Sequence, residues 1–124
     1  MGEWEIYVTD EVRGWIDSLD ERSRTLVVQA IDILADHGPT LGRPLVDHIV
    51  HSSIPNLKEL RPGSAGRSEL RVLFTFDPWR SAILLFGGNK SGDWDRWYRQ
   101  AIPRAEQLLE RYLKERAAEE EDRR

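Results

Sequence analysis

Three short apolar segments in close succession constrain this chain most. They are Leu57–Arg61, Leu70–Phe76 and Ile83–Lys90. Each has the length of a strand, the second and third also its β-branched or aromatic content, and turn residues separate them. Pro62-Gly63-Ser64-Ala65-Gly66 forms the first break and Asp77-Pro78-Trp79-Arg80 the second. In the middle segment Leu70, Val72, Phe74 and Phe76 share one face, while Arg71, Leu73, Thr75 and Asp77 share the other. The first face is expected to cover helices, so Arg71 should point away from them into solvent or a cleft. Basic residues recur in the strands and at their ends, and a small antiparallel sheet carrying guanidinium groups suits phosphate binding.

Helices are expected on both sides of this sheet segment in sequence. Trp4, Ile6 and Val8 alternate, which predicts a first strand over Glu3–Thr9. Asp10 then reads as an N-cap, with Val12, Trp15, Ile16 and Leu19 as the stripe of a short helix. Asp20 reads as the next cap. Leu26, Val27, Ala30, Ile31 and Leu34 form a second stripe, which His37-Gly38-Pro39 ends. Residues 38–56 read as loop. After Lys90-Ser91-Gly92 the period returns to helical, with Ile102, Ala105, Leu108, Leu109, Tyr112 and Leu113 on one stripe. The expected order is β-α-α-β-β-β-α. This is one α+β domain over residues 1–114, its small, mostly antiparallel sheet packed on a helical hairpin and a C-terminal helix, with a charged, fraying tail over 115–124.

Composition removes several function classes. Without cysteine there is no disulfide, thiolate metal site or cysteine nucleophile. No run of apolar residues has the length of a membrane span, and the N-terminal residues lack the apolar core of a signal peptide, so a cytoplasmic protein is expected. The net charge of −4 is unevenly spread. Residues 1–57 carry four basic against ten acidic residues, residues 58–104 nine against five, and residues 105–124 five against seven. The basic excess coincides with the strand segment, and local potential steers a ligand more than net charge does. His48 and His51 flank no further ligand cluster, and Gly87-Gly88-Asn89-Lys90 lacks the spacing of a P-loop. Its glycines suit a bend or a close approach of backbone instead.

The combination of Leu60-Arg61, Arg71-Val72-Leu73-Phe74 and Leu84-Leu85-Phe86-Gly87-Gly88-Asn89-Lys90 resembles the RelE/HigB-like toxin superfamily, nearest its HigB-type branch. The resemblance spans Trp4 to Leu113. It implies the toxin of a type II toxin–antitoxin system, a metal-independent, ribosome-dependent messenger-RNA endoribonuclease without cofactor. The implied partners are the ribosome, messenger RNA and a cognate helix-turn-helix antitoxin, through which alone the protein would meet operator DNA. A base would take the ribose 2′-OH proton, an acid would protonate the leaving 5′ oxygen, and cations would stabilise the phosphorane.

Carried over by position, Arg71, Arg61 and Lys90 are the expected catalytic residues, Arg71 foremost. Lys58, Arg67, Asn89, Trp94, Trp97 and Tyr98 are the expected RNA contacts. Two positions depart from the family pattern. Glu59 stands where RelE proper has a second-strand lysine, and Ser91 follows Lys90 where many relatives have a second basic residue. Two other readings stand beside the nuclease: a ParE-like inhibitor of DNA gyrase, and a catalytically inactive binding module of the same fold. In the plainest reading the arginines are exposed ion-pair partners of Glu59 or Asp77, and the five tryptophans pack the core and its rim.

Overall fold

The computed structural model describes residues 4–63 and 66–123. Glu3 in the expected first strand, Ser64 and Ala65 in the expected turn, and Arg124 in the expected tail lie outside the described residues. The elements run β1 (Glu5–Val8), α1 (Asp10–Ser18), α2 (Glu21–His37), a 3₁₀ turn (Gly38–Thr40), β2 (Val46–His48), β3 (Lys58–Leu60), β4 (Leu70–Phe76), β5 (Ser81–Asn89) and α3 (Trp94–Asp122). The sheet order is β1-β5-β4-β3-β2, with β1 parallel to β5 and all other pairs antiparallel. The α+β class and the mostly antiparallel sheet are as expected.

Four local expectations are corrected. First, the segment read as loop contains β2, whose Val46, Asp47 and His48 pair with Leu60, Glu59 and Lys58. Three residues between a Gly/Pro-rich stretch and a serine pair carry too little alternation to be seen; pairing with β3 makes the strand. Second, Thr9 caps α1, not Asp10. Its hydroxyl accepts from the Val12 N–H at 3.2 Å and donates to the Leu85 carbonyl at 2.9 Å. A hydroxyl can do both at once, whereas a carboxylate could not donate. Asp10 sits one residue inside, in the first turn, where the helix dipole favours it. Asp20 caps α2 as expected, accepting from the Ser23 N–H.

Third, the tail is helical to Asp122. Ion pairs at i, i+4 join Lys114 to Glu110 (3.0 Å) and Arg116 to Glu120 (3.5 Å), and the Arg116 guanidinium lies 5.1 Å from the Trp79 ring centre. Ala, Glu, Lys and Arg are strong helix formers, and these pairs add to that preference. Fourth, both faces of the sheet are covered. Val12, Ala30 and Leu34 of α1 and α2 pack on Leu60, Val72, Phe74 and Leu84. Ala101, Ala105, Leu108 and Tyr112 of α3 pack on Leu73, Ile83 and Leu85. Arg71 therefore lies beneath the start of α3 and is only 7% exposed, not turned freely to solvent.

β5 is the strand on which these layers meet, and its two glycines are seats for tryptophans. A Cβ on Gly87 would run into the Trp15 ring of α1, and a Cβ on Gly88 into the Trp97 indole of α3. Close approach of a ring from each side accounts for the pair. Gly14 on α1 has open space where a Cβ would go. Gly87→Ala should therefore lower the free energy of unfolding by about 1–3 kcal/mol through overpacking. Gly14→Ala should raise it by about 0.5–1 kcal/mol through helix propensity. Urea unfolding of the two variants reads opposite signs; equal signs would refute this account of β5.

Candidate functional site

A bulge in β5 assembles the charged cluster. Leu73 pairs with Phe86 and Phe74 with Leu84, which leaves Leu85 between them without a partner across β4. One extra residue reverses the pleat beyond it. Ile83 and Leu85 face α3 before the bulge, and Gly88 faces α3 after it. Lys90 follows with the parity of Gly88. Without the extra residue it would share the face of Leu84, against α1 and α2. In register, Arg71 stands opposite Gly88, and Leu60 opposite Val72. Arg61, Arg71 and Lys90 thus arrive side by side at one end of the α3 face. Asn89 fixes this end: its side-chain oxygen accepts from the Glu69 and Ser91 N–H groups, both at 3.0 Å.

Glu59 lies at the centre of the cluster. It is 6% exposed. Tyr98 donates its hydroxyl proton to Glu59 Oε1 at 2.6 Å. Arg71 Nε is 3.8 Å from the same oxygen, and Arg61 Nε is 3.9 Å from Oε2. Arg71 also donates from Nη1 to the Leu70 carbonyl at 2.8 Å and lies 3.9 Å from Glu69. The Arg71–Glu59 separation is an ion pair too long for a hydrogen bond, and Arg71 Nε, buried from solvent, has no acceptor. A buried donor left unmatched is costly, and it is what an incoming phosphate oxygen could match. Arg61 pairs further out with Asp47 at 3.8 Å, and Asp47 in turn with Arg43 at 3.1 Å.

Lys90 is 5% exposed, with its Nζ 4.0 Å from the Trp94 ring centre and 5.4 Å from that of Tyr98. Burial first, and then the Arg71 charge, hold its pKa below the usual lysine value, against the opposing pull of Glu59 and Glu69. Burial and the bond to Glu59 push the Tyr98 phenol well above its ordinary value, so Tyr98 stays protonated and serves as a donor. Trp94 is more than half exposed and donates from Nε1 to Glu69 at 3.0 Å, offering a ring face beside the cations.

The structure thus brings Arg61, Arg71, Lys90, Trp94 and Tyr98 together. It does not bring the others. Lys58 is on the opposite face, 5.3 Å from the Phe76 ring centre. Arg67 stands in an exposed turn before β4. Asn89 braces strand ends, and Trp97 packs on Gly88. Glu59 and Glu69 were missed as members of the site. The parity of Glu59 with Arg61, and so with Arg71 across the strands, was the available signal. Beyond Glu59 and Tyr98 an open cleft of about 730 Å³ runs between the β2–β3 connection and α3, lined among others by His48, His51, Ile102 and Glu106.

The sequence profile of the phage-derived Gp49-like proteins (DUF891) matches residues 14–110, which contain the whole cluster. The chain belongs to the Gp49-like family. Two Mycobacterium tuberculosis proteins are similar along most of this Gp49-like chain. One, named "Putative toxin HigB2", is 47% identical over 104 residues, 84% of this chain and 52% of its own length. The other, named "Putative toxin HigB3", is 48% identical over 108 residues, 87% of this chain and 92% of its own length. The chain therefore spans about half of the first relative and nearly all of the second.

The lowered Lys90 pKa makes a stability prediction for this Gp49-like cluster. In the window between its depressed folded value and the unfolded value near 10.5, the unfolded chain binds the extra proton, so stability rises with pH. Below that window the cost of burying the charge is fully present. Lys90→Met should raise the urea midpoint at neutral pH, and its advantage over the unaltered protein should shrink as pH climbs toward 10.5. An advantage that is constant with pH would show that the ammonium is not strained.

Proposed function

We propose that the protein is the toxin of a type II toxin–antitoxin pair and cleaves messenger RNA on the ribosome without a metal. The observation that carries this reading is the convergence of Arg61, Arg71 and Lys90 around Glu59 and Tyr98, beneath the exposed ring of Trp94. The names of the two relatives agree with a toxin. A cognate antitoxin with a helix-turn-helix DNA-binding domain would hold the protein inactive and tether it to operator DNA.

In this reading Glu59 acts as the base, supported by its position between Tyr98 and the two arginines. It takes the proton of the ribose 2′-OH, whose oxygen attacks the adjacent phosphorus; the bond from phosphorus to the 5′ oxygen breaks. Lys90, with its lowered pKa, is the better donor of the proton that the 5′ oxygen needs, since efficient acids titrate nearer the working pH. The Arg71 fork, with its unmatched Nε, meets the charge growing on the phosphorane, and Arg61 supports it from the more exposed side. Tyr98 orients Glu59 through its short hydrogen bond. The products are a 2′,3′-cyclic phosphate and a free 5′-hydroxyl.

The gyrase reading wants a long apolar helical surface. The outward face of α2 sets exposed Val28 and Ile33 among Thr25, Gln29 and Asp32, a mixed surface that favours the nuclease instead.

The test is cell-free translation with purified protein, the messenger's new 5′ ends mapped by primer extension. Ribosome-dependent cuts are expected. Glu59→Gln, which keeps the Tyr98 bond, should slow them by about 10²–10⁴-fold as the loss of a base. Arg71→Ala breaks a buried ion pair, so it is read beside Arg71→Lys, which keeps the charge but loses the fork. Both should lose about 10²–10³-fold. An intact messenger, or full activity in folded Glu59→Gln, refutes the assignment.

A further inference from the structure

Arg71 stands between two carboxylates and closes on neither. Glu69 precedes it by two residues, so the two side chains share a face. Yet Glu69 Oε2 stays 3.9 Å from Arg71 Nη2, too far for a hydrogen bond. Glu59 Oε1 stays 3.8 Å from Arg71 Nε. Each carboxylate is bound instead by an aromatic donor of α3. The Trp94 indole N–H donates to Glu69 Oε1 at 3.0 Å, and the Tyr98 hydroxyl to Glu59 Oε1 at 2.6 Å. A carboxylate beside a guanidinium ordinarily closes to about 2.7–2.9 Å, so the gap at Glu69 needs a cause.

We propose that Trp94 is a positioning residue whose indole N–H holds the Glu69 carboxylate off Arg71 and so keeps the Arg71 donors open to a phosphate oxygen. This role deepens the endoribonuclease reading, and rests on it only for RNA as the source of the phosphate.

Neither end of the Trp94–Glu69 bond is free to drift. The Glu69 main chain is pinned on both sides: its N–H donates to the Asn89 side-chain oxygen and its carbonyl accepts from the Lys90 N–H, both at 3.0 Å. Only the Glu69 side chain, a third exposed, can swing. Trp94 opens α3 at a capped end. Asp93 Oδ1 accepts from the Arg96 N–H at 3.0 Å, and the Asp93 carbonyl accepts from the Trp97 N–H at 3.1 Å. The Trp94 ring also rests on Lys90, with Nζ 4.0 Å from its centre.

Released from the indole, the Glu69 carboxylate would have about 1 Å to travel before it met Arg71 Nη2 at hydrogen-bond distance. Arg71 already spends Nη1 on the Leu70 carbonyl, and its Nε has no acceptor. Closure of Glu69 would occupy Nη2 and set a negative charge where a phosphate must come. The indole N–H suits the restraining task because it is a donor without charge. It binds the carboxylate without adding a cation that would compete for the phosphate.

NMR titration of the full chain with inorganic phosphate, read on the Arg71 guanidinium signals, tests this without any cleavage. Trp94→Phe keeps a ring over Lys90 and lacks the N–H. Its Arg71 signals should differ from those of the unaltered protein before phosphate is added. Its Kd for phosphate should be about fivefold higher, the ratio that corresponds to one hydrogen bond of about 1 kcal/mol. Glu69→Gln can still accept from Trp94 but cannot form an ion pair with Arg71. In that background Trp94→Phe should change the Kd by less than about twofold, since the two residues act through each other. A loss of equal size in both backgrounds would mean that the ring meets the phosphate itself or merely supports the fold, and would overturn the proposal. An unchanged Kd in Trp94→Phe, or no phosphate-induced shift at Arg71 in any variant, overturns it as well, even where messenger cleavage stands. A Trp94→Phe effect that vanishes with Glu69→Gln supports it, even if messenger RNA stays intact and the nuclease reading fails.

Discussion

The one-residue bulge at Leu85 is the constraint from which the rest of this structure follows. A strand's side chains alternate, so a strand buried on both faces commits every residue to a layer. β5 needs Ile83 against α3 and Leu84 against α1 and α2 at one end. At the other end it needs Gly88 and Lys90 on the α3 face. Uninterrupted alternation cannot give both. The extra residue solves this, and the Leu85 carbonyl takes the hydroxyl proton of Thr9, the residue that starts α1. The bulge, the helix cap and the placement of Lys90 are therefore one arrangement.

The second constraint is electrostatic. Arg71 and Lys90 are both almost wholly buried, and like charges at close range in a poorly solvated place repel. Glu59 and Glu69 offset that repulsion, and the rings of Trp94 and Tyr98 face the ammonium. The contacts to Glu59 remain long, at 3.8 and 3.9 Å, so neither arginine closes a tight fork on it. The cluster is compensated yet leaves donor capacity for a ligand.

Much of this was legible in the sequence, for physical reasons. Alternation and 3.6-residue stripes report burial directly, so β1, β4, β5 and the three helices were visible. Arg61, Arg71 and Lys90 were readable from the strand ends, and Tyr98 and Trp94 from the start of the last helix. β2 was not, because three residues cannot carry a period and their pairing is tertiary. The covering of both sheet faces was not either, since the alternation along β4 marks one face apolar and gives Arg71 to the other without saying what lies above it. Lys58 was expected among the RNA contacts, yet its strand parity sets it on the face opposite Glu59, beside the Phe76 ring.

The carboxylate at position 59 changes what the neighbouring lysine can do. Were Glu59 a lysine, the pocket would hold four cations against Glu69, and sinking Lys90 beneath the rings of α3 would cost far more. With the carboxylate present the ammonium can be buried while its proton is held less tightly than in water. A fully solvated lysine is a weak acid catalyst at neutral pH because it keeps its proton; a buried one beside Arg71 gives it up more readily. The Glu59 side chain thus has two consequences from one position. It permits Lys90 to be buried where its proton is held less tightly, and in the proposed reaction it would supply the acceptor for the opposite proton. In the proposed reaction the departure from the lysine pattern is then the feature that sets a carboxylate base beside the buried acid.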